Sequence, residues 1–133
     1  MYSVTKQISF CYGHRLLEYS GKCRFLHGHN GLLEVAMTRP KLDSLGFVMD
    51  FGDISAVVKK WVDAELDHKM ILSERDPILK AMKEHEQPFV TLAGNPTAEA
   101  IAKHVFDYCR SQNLPVAAVT LWETPTSHAS YRD

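Results

Sequence analysis

Alternating apolar and polar residues open the chain. Residues 2–11 interleave the two kinds of side chain, which predicts a β-strand. Residues 15–30 have no period and several glycines, as is typical of a loop. The run Leu-Leu-Glu-Val-Ala-Met-Thr at 32–38 predicts a second strand, and Pro40 stops it. A short extended piece is expected at 47–49.

Helical spacing of apolar residues appears twice. The first stripe is capped by Asp50 or Asp53 and should end near Leu66; it consists of Ile54, Val57, Val58 and Trp61. The second follows Asn95-Pro96-Thr97 and consists of Ala98, Ile101, Ala102, Val105 and Cys109. Between these two helices, the stretch 69–94 predicts only a short helix after Asp76-Pro77.

The end of the chain returns to strands. Residues 116–122 are strongly apolar, and the last residues up to Arg132 predict one more strand. The order is therefore ββααββ, without strict β-α-β alternation. This order predicts an α+β fold, with an antiparallel sheet and helices on one face.

Composition narrows the class of protein. The 133 residues predict a single domain, 1–133, with 15 Lys and Arg against 16 Asp and Glu. This balance gives no reason to expect binding to nucleic acid or to a membrane surface. No apolar run reaches the roughly 18 residues of a membrane span, and no signal peptide is apparent. Three cysteines fit a reduced, cytoplasmic protein better than a disulfide scaffold.

Three histidines predict a metal site. His27 and His29 flank Gly28, so in an extended chain both imidazoles project to the same side. If the first two strands pair antiparallel, His14 at the end of the first falls close to both. Three imidazoles with an open fourth position are typical of catalytic zinc. Two alternatives stay open: surface histidines without a metal, or Cys23 as a fourth ligand.

Further candidates for chemistry lie outside this trio. Asp67 beside His68 can orient the imidazole for proton transfer, although a solvated helix end would look the same. Cys23 could act as a base or nucleophile. Glu123 ends a buried strand, where its carboxylate could accept a pair of N–H groups from a guanine-like or pterin ring, or simply enter water.

Taken together, these motifs resemble one known family. The chain resembles the 6-pyruvoyl-tetrahydropterin synthase/6-carboxytetrahydropterin synthase family nearly end to end. The matching motifs, in order, are Phe10…His14-Arg15-Leu16, Cys23-x-x-x-His27-Gly28-His29, Gly46-Phe47-Val48-Met49-Asp50-Phe51, Leu66-Asp67-His68, Asn95-Pro96-Thr97-x-Glu99 and Trp122-Glu123-Thr124 before Tyr131-Arg132.

The resemblance implies a tunnelling fold, in which a four-stranded antiparallel sheet carries two helices. It implies homo-oligomers, trimers or hexamers, with active sites between subunits. It also implies roles for residues: His14, His27 and His29 hold Zn²⁺. Cys23 abstracts a proton with His68 and Asp67 as its relay, and Glu123 anchors the pterin.

The implied substrate is 7,8-dihydroneopterin triphosphate. The short interval between Cys23 and His27 resembles the carboxy branch, whose products are 6-carboxytetrahydropterin, acetaldehyde and triphosphate, on the way to queuosine. The alternatives are the pyruvoyl branch, which loses only triphosphate, a non-catalytic pterin-binding member, and a structural oligomer. One departure is Cys11-Tyr12-Gly13, where the family often has small residues; this segment is expected either to narrow the site or to offer another thiol.

Overall fold

Two long antiparallel strands form the centre of the sheet. In the computed structural model, which describes all 133 residues, strand β1 is Tyr2–His14 and strand β2 is His27–Arg39. They pair along their whole length, from Tyr2 opposite Arg39 to His14 opposite His27. Strand β5, Val116–Thr124, pairs antiparallel with β2, and β6, Ser127–Tyr131, pairs antiparallel with β5.

Two more strands extend the other side of the sheet. Strand β3, Lys69–Ser73, lies parallel to β1, and β4, Phe89–Leu92, lies parallel to β3. The strand order is β4-β3-β1-β2-β5-β6. The expectation of a four-stranded antiparallel sheet is therefore wrong: the sheet has six strands and is mixed. The two added strands have only five and four residues, too few for a clear alternating pattern.

Three helices connect the strands. The first is continuous over 51–65, formed by Phe51–Ile54, one π-turn at Ser55–Lys59 and Lys60–Glu65. Asp50 caps it, since its side chain accepts a hydrogen bond from the Gly52 N–H at 2.6 Å. A short helix spans Leu79–Glu84, and the last helix is Ala98–Ser111, capped by Thr97. The extended piece predicted at 47–49 is an irregular loop.

The core lies between one face of the sheet and the two long helices. Alternate residues of the central strands are buried there, among them Ile8, Leu33, Val35, Val119 and Leu121. The predicted helical stripes are buried against them, with Ile54, Val58, Ile101, Ala102, Val105 and Cys109 inaccessible to solvent. None of the helices is long and apolar enough to cross a membrane.

The alternation that builds the core also positions polar residues. Tyr12 and His14 continue the inward-facing row of β1, and both are buried. His27 and His29 share the inward row of Leu33 on β2. The helix-facing side of the sheet therefore turns from apolar to imidazole-rich where β1 ends and β2 begins.

Candidate metal centre

Strand register brings the three predicted histidines together. His14 lies directly opposite His27 in the β1–β2 ladder, and His29 is the next inward residue of β2. One nitrogen from each of the three residues lies within 4.8 Å of those of the other two. The ring centroids are 4.5 Å apart for His14 and His27, and 5.1 Å for each of the other two pairs. Cys23 does not join this converging group.

Backbone carbonyls fix the orientation of two of the rings. Nδ1 of His14 donates to the carbonyl of Pro96 at 2.7 Å, and Nδ1 of His27 donates to the carbonyl of Phe25 at 2.7 Å. A proton on Nδ1 leaves Nε2 with a free lone pair. Burial is the main influence on His14 and lowers its pKa, which favours the neutral ring.

The buried nitrogens have no partner of their own. Nε2 of His14 and Nε2 of His29 are both buried and make no hydrogen bond. Such an atom is costly unless something satisfies it. Neutral imidazoles with converging lone pairs are the donor set that zinc prefers, and three of them leave one position open. The residues present therefore fit a zinc ion.

A carboxylate borders the cluster. Oε1 of Glu123 lies 3.7 Å from Nε2 of His14, and Oε2 lies 3.9 Å from Nε2 of His29. Tyr12 donates its hydroxyl to Oε1 of Glu123 at 3.0 Å. Burial and the adjacent Glu123 raise the pKa of Tyr12, so the phenol keeps its proton and remains a donor. The Tyr12 ring turns toward β5 and contacts this carboxylate, a link between strands that the sequence analysis missed.

Cys23 lies in the same region but outside the cluster. It belongs to a single 3₁₀ turn, Lys22–Arg24, and its carbonyl accepts the Leu16 N–H at 2.8 Å. Its side chain is half-buried and unpaired. With His14 and Glu123 it lines a cavity of about 330 Å³. A thiol, an imidazole of the cluster and a carboxylate thus share one cavity.

His68, paired with Asp67, lines a different cavity. Nδ1 of His68 donates to Oδ2 of Asp67 at 2.8 Å, and the Cys11 N–H donates to Oδ1 of Asp67 at 2.8 Å. The Cys11 hydrogen bond is the largest influence lowering the pKa of Asp67. His68 lines a cavity of about 490 Å³ together with His29 and Cys11. Within one chain, His68 and Cys23 therefore do not line a common cavity.

The Asn-Pro-Thr segment before the last helix makes hydrogen bonds to His14, to the loop after His14 and to the helix itself. The Asn95 side chain accepts the Leu17 N–H at 2.8 Å and donates to the Leu17 carbonyl at 2.9 Å. Pro96 supplies the carbonyl for His14, and Thr97 accepts the Ala100 N–H at 3.2 Å. The sequence predicted only a helix start here; contacts across the fold reveal the other two roles.

An ion pair anchors the residue after His14. Arg15 donates through Nε to Oδ2 of Asp76 at 2.8 Å, and its Nη2 binds the other carboxylate oxygen. The Asp76 side chain is inaccessible to solvent. The Arg15 hydrogen bond is the main influence lowering the pKa of Asp76. This pair joins the end of β1 to the segment between β3 and the short helix.

The fold and the cluster together define a class: an α+β protein in which three histidines that could hold a metal ion converge where its first central strand ends and its second begins. The chain belongs to the 6-pyruvoyl tetrahydropterin synthase family, whose model matches residues 3–133. The family predicted from the sequence motifs is thereby confirmed.

Relatives and solved structures agree with this assignment. A 6-carboxy-5,6,7,8-tetrahydropterin synthase of Rickettsia conorii is 41% identical over 94% of this chain and 96% of its own length. One of Haemophilus influenzae is 32% identical over 100% of both chains. An uncharacterized protein of Wolinella succinogenes has a similar structure, with a TM-score of 0.86 and 26% identity over 99% of this chain and 98% of its own. The Caenorhabditis elegans 6-pyruvoyl tetrahydropterin synthase has the same fold, with a TM-score of 0.73 over 99% of this chain and 95% of its own, at 23% identity. Because the named relatives are lyases, the prediction of a lyase is confirmed.

Proposed function

We propose that this chain is a zinc-dependent 6-carboxy-5,6,7,8-tetrahydropterin synthase of queuosine biosynthesis. With one water molecule, it converts 7,8-dihydroneopterin triphosphate into 6-carboxytetrahydropterin, acetaldehyde and triphosphate. The observation that carries the proposal is the cavity lined by Cys23, Glu123 and His14, the last of which belongs to the converging histidine cluster. The names of the relatives support the choice of product. Three unpaired cysteines fit a cytoplasmic enzyme.

His14, His27 and His29 would hold the zinc ion. The carbonyls of Pro96 and Phe25 keep two of these rings turned toward the centre. Bound zinc would supply Lewis-acid polarisation of oxygen atoms on the substrate side chain. An open fourth position is what such a role requires.

Cys23 is the proposed base that removes a carbon-bound proton. Its thiol is half-buried and faces the cavity that also contains His14 and Glu123. A thiolate there would take the proton from the substrate carbon. Because Cys23 does not join the converging histidine nitrogens, it remains available for this role.

His68 and Asp67 are proposed to complete the site of a neighbouring subunit. The His68 imidazole is 79% exposed, yet Asp67 orients it, and the Cys11 N–H fixes Asp67 in turn. An oriented but exposed imidazole suits proton transfer at a surface that another copy covers. The separate cavities of Cys23 and His68 support a homo-oligomer, a trimer or hexamer, with active sites between subunits.

Glu123 is the proposed anchor for the pterin ring. A carboxylate accepts two N–H groups side by side, which matches the amino group and ring N–H of a pterin. It lies beside His14 and His29, so a ring bound to it would lie next to the histidine cluster.

Product analysis tests the proposal. Purified protein with zinc is incubated with 7,8-dihydroneopterin triphosphate, and we expect equal amounts of acetaldehyde and triphosphate. Cys23→Ala should keep its zinc and lose turnover. The matched control is Cys11→Ser, in which the hydroxyl can replace the Cys11 thiol as donor to Asn30, so turnover should persist.

Other products would assign a different function. Triphosphate without acetaldehyde would mean the pyruvoyl reaction. Ligand binding without any turnover by zinc-loaded protein would mean a non-catalytic pterin-binding protein. Loss of zinc from Cys23→Ala would make Cys23 a ligand and refute its role as base.

A further inference from the structure

We infer that Tyr12 is a positioning residue of the metal centre. Its hydroxyl holds one oxygen of Glu123 and keeps that carboxylate beside the histidine cluster without letting it become a metal ligand. The inference rests on the proposed function only in taking a metal ion to bind at His14, His27 and His29.

The distances show why a restraint is needed. The two Glu123 oxygens lie 3.7 Å and 3.9 Å from Nε2 of His14 and His29. Ligand atoms on one tetrahedral zinc ion, with bonds of about 2.0–2.1 Å, lie roughly 3.3–3.4 Å from one another. The carboxylate is thus only a few tenths of an ångström beyond that spacing. A divalent cation would attract it, and carboxylates are common zinc ligands.

The packed ring of Tyr12 opposes that attraction, because its hydroxyl holds the Glu123 carboxylate in place. Its ring is 3% exposed, stacks on Phe10 with centroids 5.0 Å apart and meets His14 edge-on at 5.3 Å. The hydroxyl therefore donates to Oε1 of Glu123 from a fixed point. A hydrogen bond from a preorganised donor to a carboxylate is among the stronger ones in proteins.

Gly31 makes the position of the ring possible. It is the next inward residue of β2 after His29, between the strands of Tyr12 and Glu123. A Cβ there would lie 2.9 Å from Cε1 of Tyr12, which is closer than real Cβ contacts come. The absence of a side chain at Gly31 lets the Tyr12 ring reach across to β5.

Two consequences follow for the site. The fourth position of the metal stays open for the substrate, because the carboxylate is held back. Glu123 also keeps Oε2 and the second lone pair of Oε1 free to accept the N–H groups of a ligand, because Tyr12 uses only one lone pair of Oε1. Tyr12 thus keeps Glu123 available for recognition instead of metal binding.

The test replaces the metal with Co²⁺, whose visible spectrum reports its ligands, in protein without substrate. Tyr12→Phe keeps the packed ring and removes only the hydroxyl. We expect its Co²⁺ spectrum to differ from that of the parent, because the released carboxylate becomes a ligand. In a Glu123→Ala background, the same Tyr12→Phe change should leave the spectrum unaltered. With substrate, Tyr12→Phe should raise KM by roughly 10–100-fold and change kcat less.

Several results would overturn the inference. One is a Tyr12→Phe spectrum identical to the parent's. Another is an equal spectral change in both backgrounds, which would mean that the Tyr12 hydroxyl acts on the metal site independently of Glu123. A kcat loss with unchanged KM would also contradict it. A protein that shows the expected spectra but no turnover would instead refute the proposed function and leave this inference standing.

Discussion

Removing the Asn95 side chain should loosen the loop that carries Cys23. Asn95 makes two hydrogen bonds to the backbone of Leu17, at 2.8 Å and 2.9 Å, and both are partly buried. A hydrogen bond of this kind contributes a net of about 1–1.5 kcal/mol, so Asn95→Ala should lower the free energy of unfolding by about 2–3 kcal/mol. For a domain of this size, that loss corresponds to a drop in Tm of roughly 10 °C.

Activity should fall more than zinc binding. Leu17 lies in the loop between His14 and the Cys23 turn, so a loosened loop misplaces the thiol. A displacement of about 1 Å can cost a hundredfold in rate, and we expect a loss of at least about tenfold. Zinc should remain bound, because the Pro96 carbonyl that orients His14 belongs to the backbone.

Urea unfolding, zinc analysis and turnover measure these effects together. The control is Gln112→Ala, another amide-to-alanine change, at an exposed residue whose side chain bonds only to Ser111. It should change stability by less than about 0.5 kcal/mol. An Asn95→Ala protein as stable and as active as this control would refute the role assigned to the Asn95 clamp.

Three further predictions follow from other contacts. If each site takes Cys23 from one subunit and His68 from its neighbour, mixing inactive Cys23→Ala and His68→Ala subunits before assembly should restore activity at about a quarter of the sites. No recovery of activity would refute shared sites. Because Arg15 lowers the pKa of Asp76, the pair stabilises the fold above about pH 4, and this stabilisation is lost as the pH falls further. Asp76→Asn should therefore lower the free energy of unfolding by about 3 kcal/mol at pH 7. In this variant, the acid side of a curve of stability against pH should be flatter than in the parent. Gly31→Ala should lower stability by about 1–3 kcal/mol in thermal unfolding, since its methyl group would meet buried rings; an unchanged Tm would contradict that packing.

Much of the fold was predictable from local patterns. The first strand alternates, the second and fifth are apolar runs, and the two long helices have apolar stripes and capping residues; all are present, as is the last strand. The short strands β3 and β4 were missed because the stretch 69–94 showed no pattern beyond a short helix. Their pairing, β3 with β1 and β4 with β3, depends on tertiary contacts that no local pattern encodes.

The histidine cluster was predictable for a simple reason. Side chains alternate along strands, and the chain reverses between β1 and β2, so His14 had to fall near His27 and His29. The contact between Tyr12 and Glu123 was not predictable in this way. It joins residues 111 positions apart on strands that are not neighbours, and it depends on the missing side chain at Gly31.

Gly28 contributes to strand pairing and not to the histidine cluster. It lies between His27 and His29 in the chain, but alternation turns it to the opposite face of the sheet. There a Cβ would lie 3.0 Å from the Tyr12 carbonyl oxygen, so the glycine serves close pairing of β1 and β2. In the Cys11-Tyr12-Gly13 segment, the structure shows a hydrogen bond from Tyr12 to Glu123.

X-ray absorption at the zinc edge on purified protein, combined with metal analysis, tests the central claim most directly. The account predicts one zinc ion per chain with three imidazole nitrogens at about 2.0–2.1 Å, a signal that weakens when His14, His27 or His29 is replaced by alanine. Protein that binds no zinc, or a sulfur neighbour at about 2.3 Å that disappears in Cys23→Ala, would contradict it.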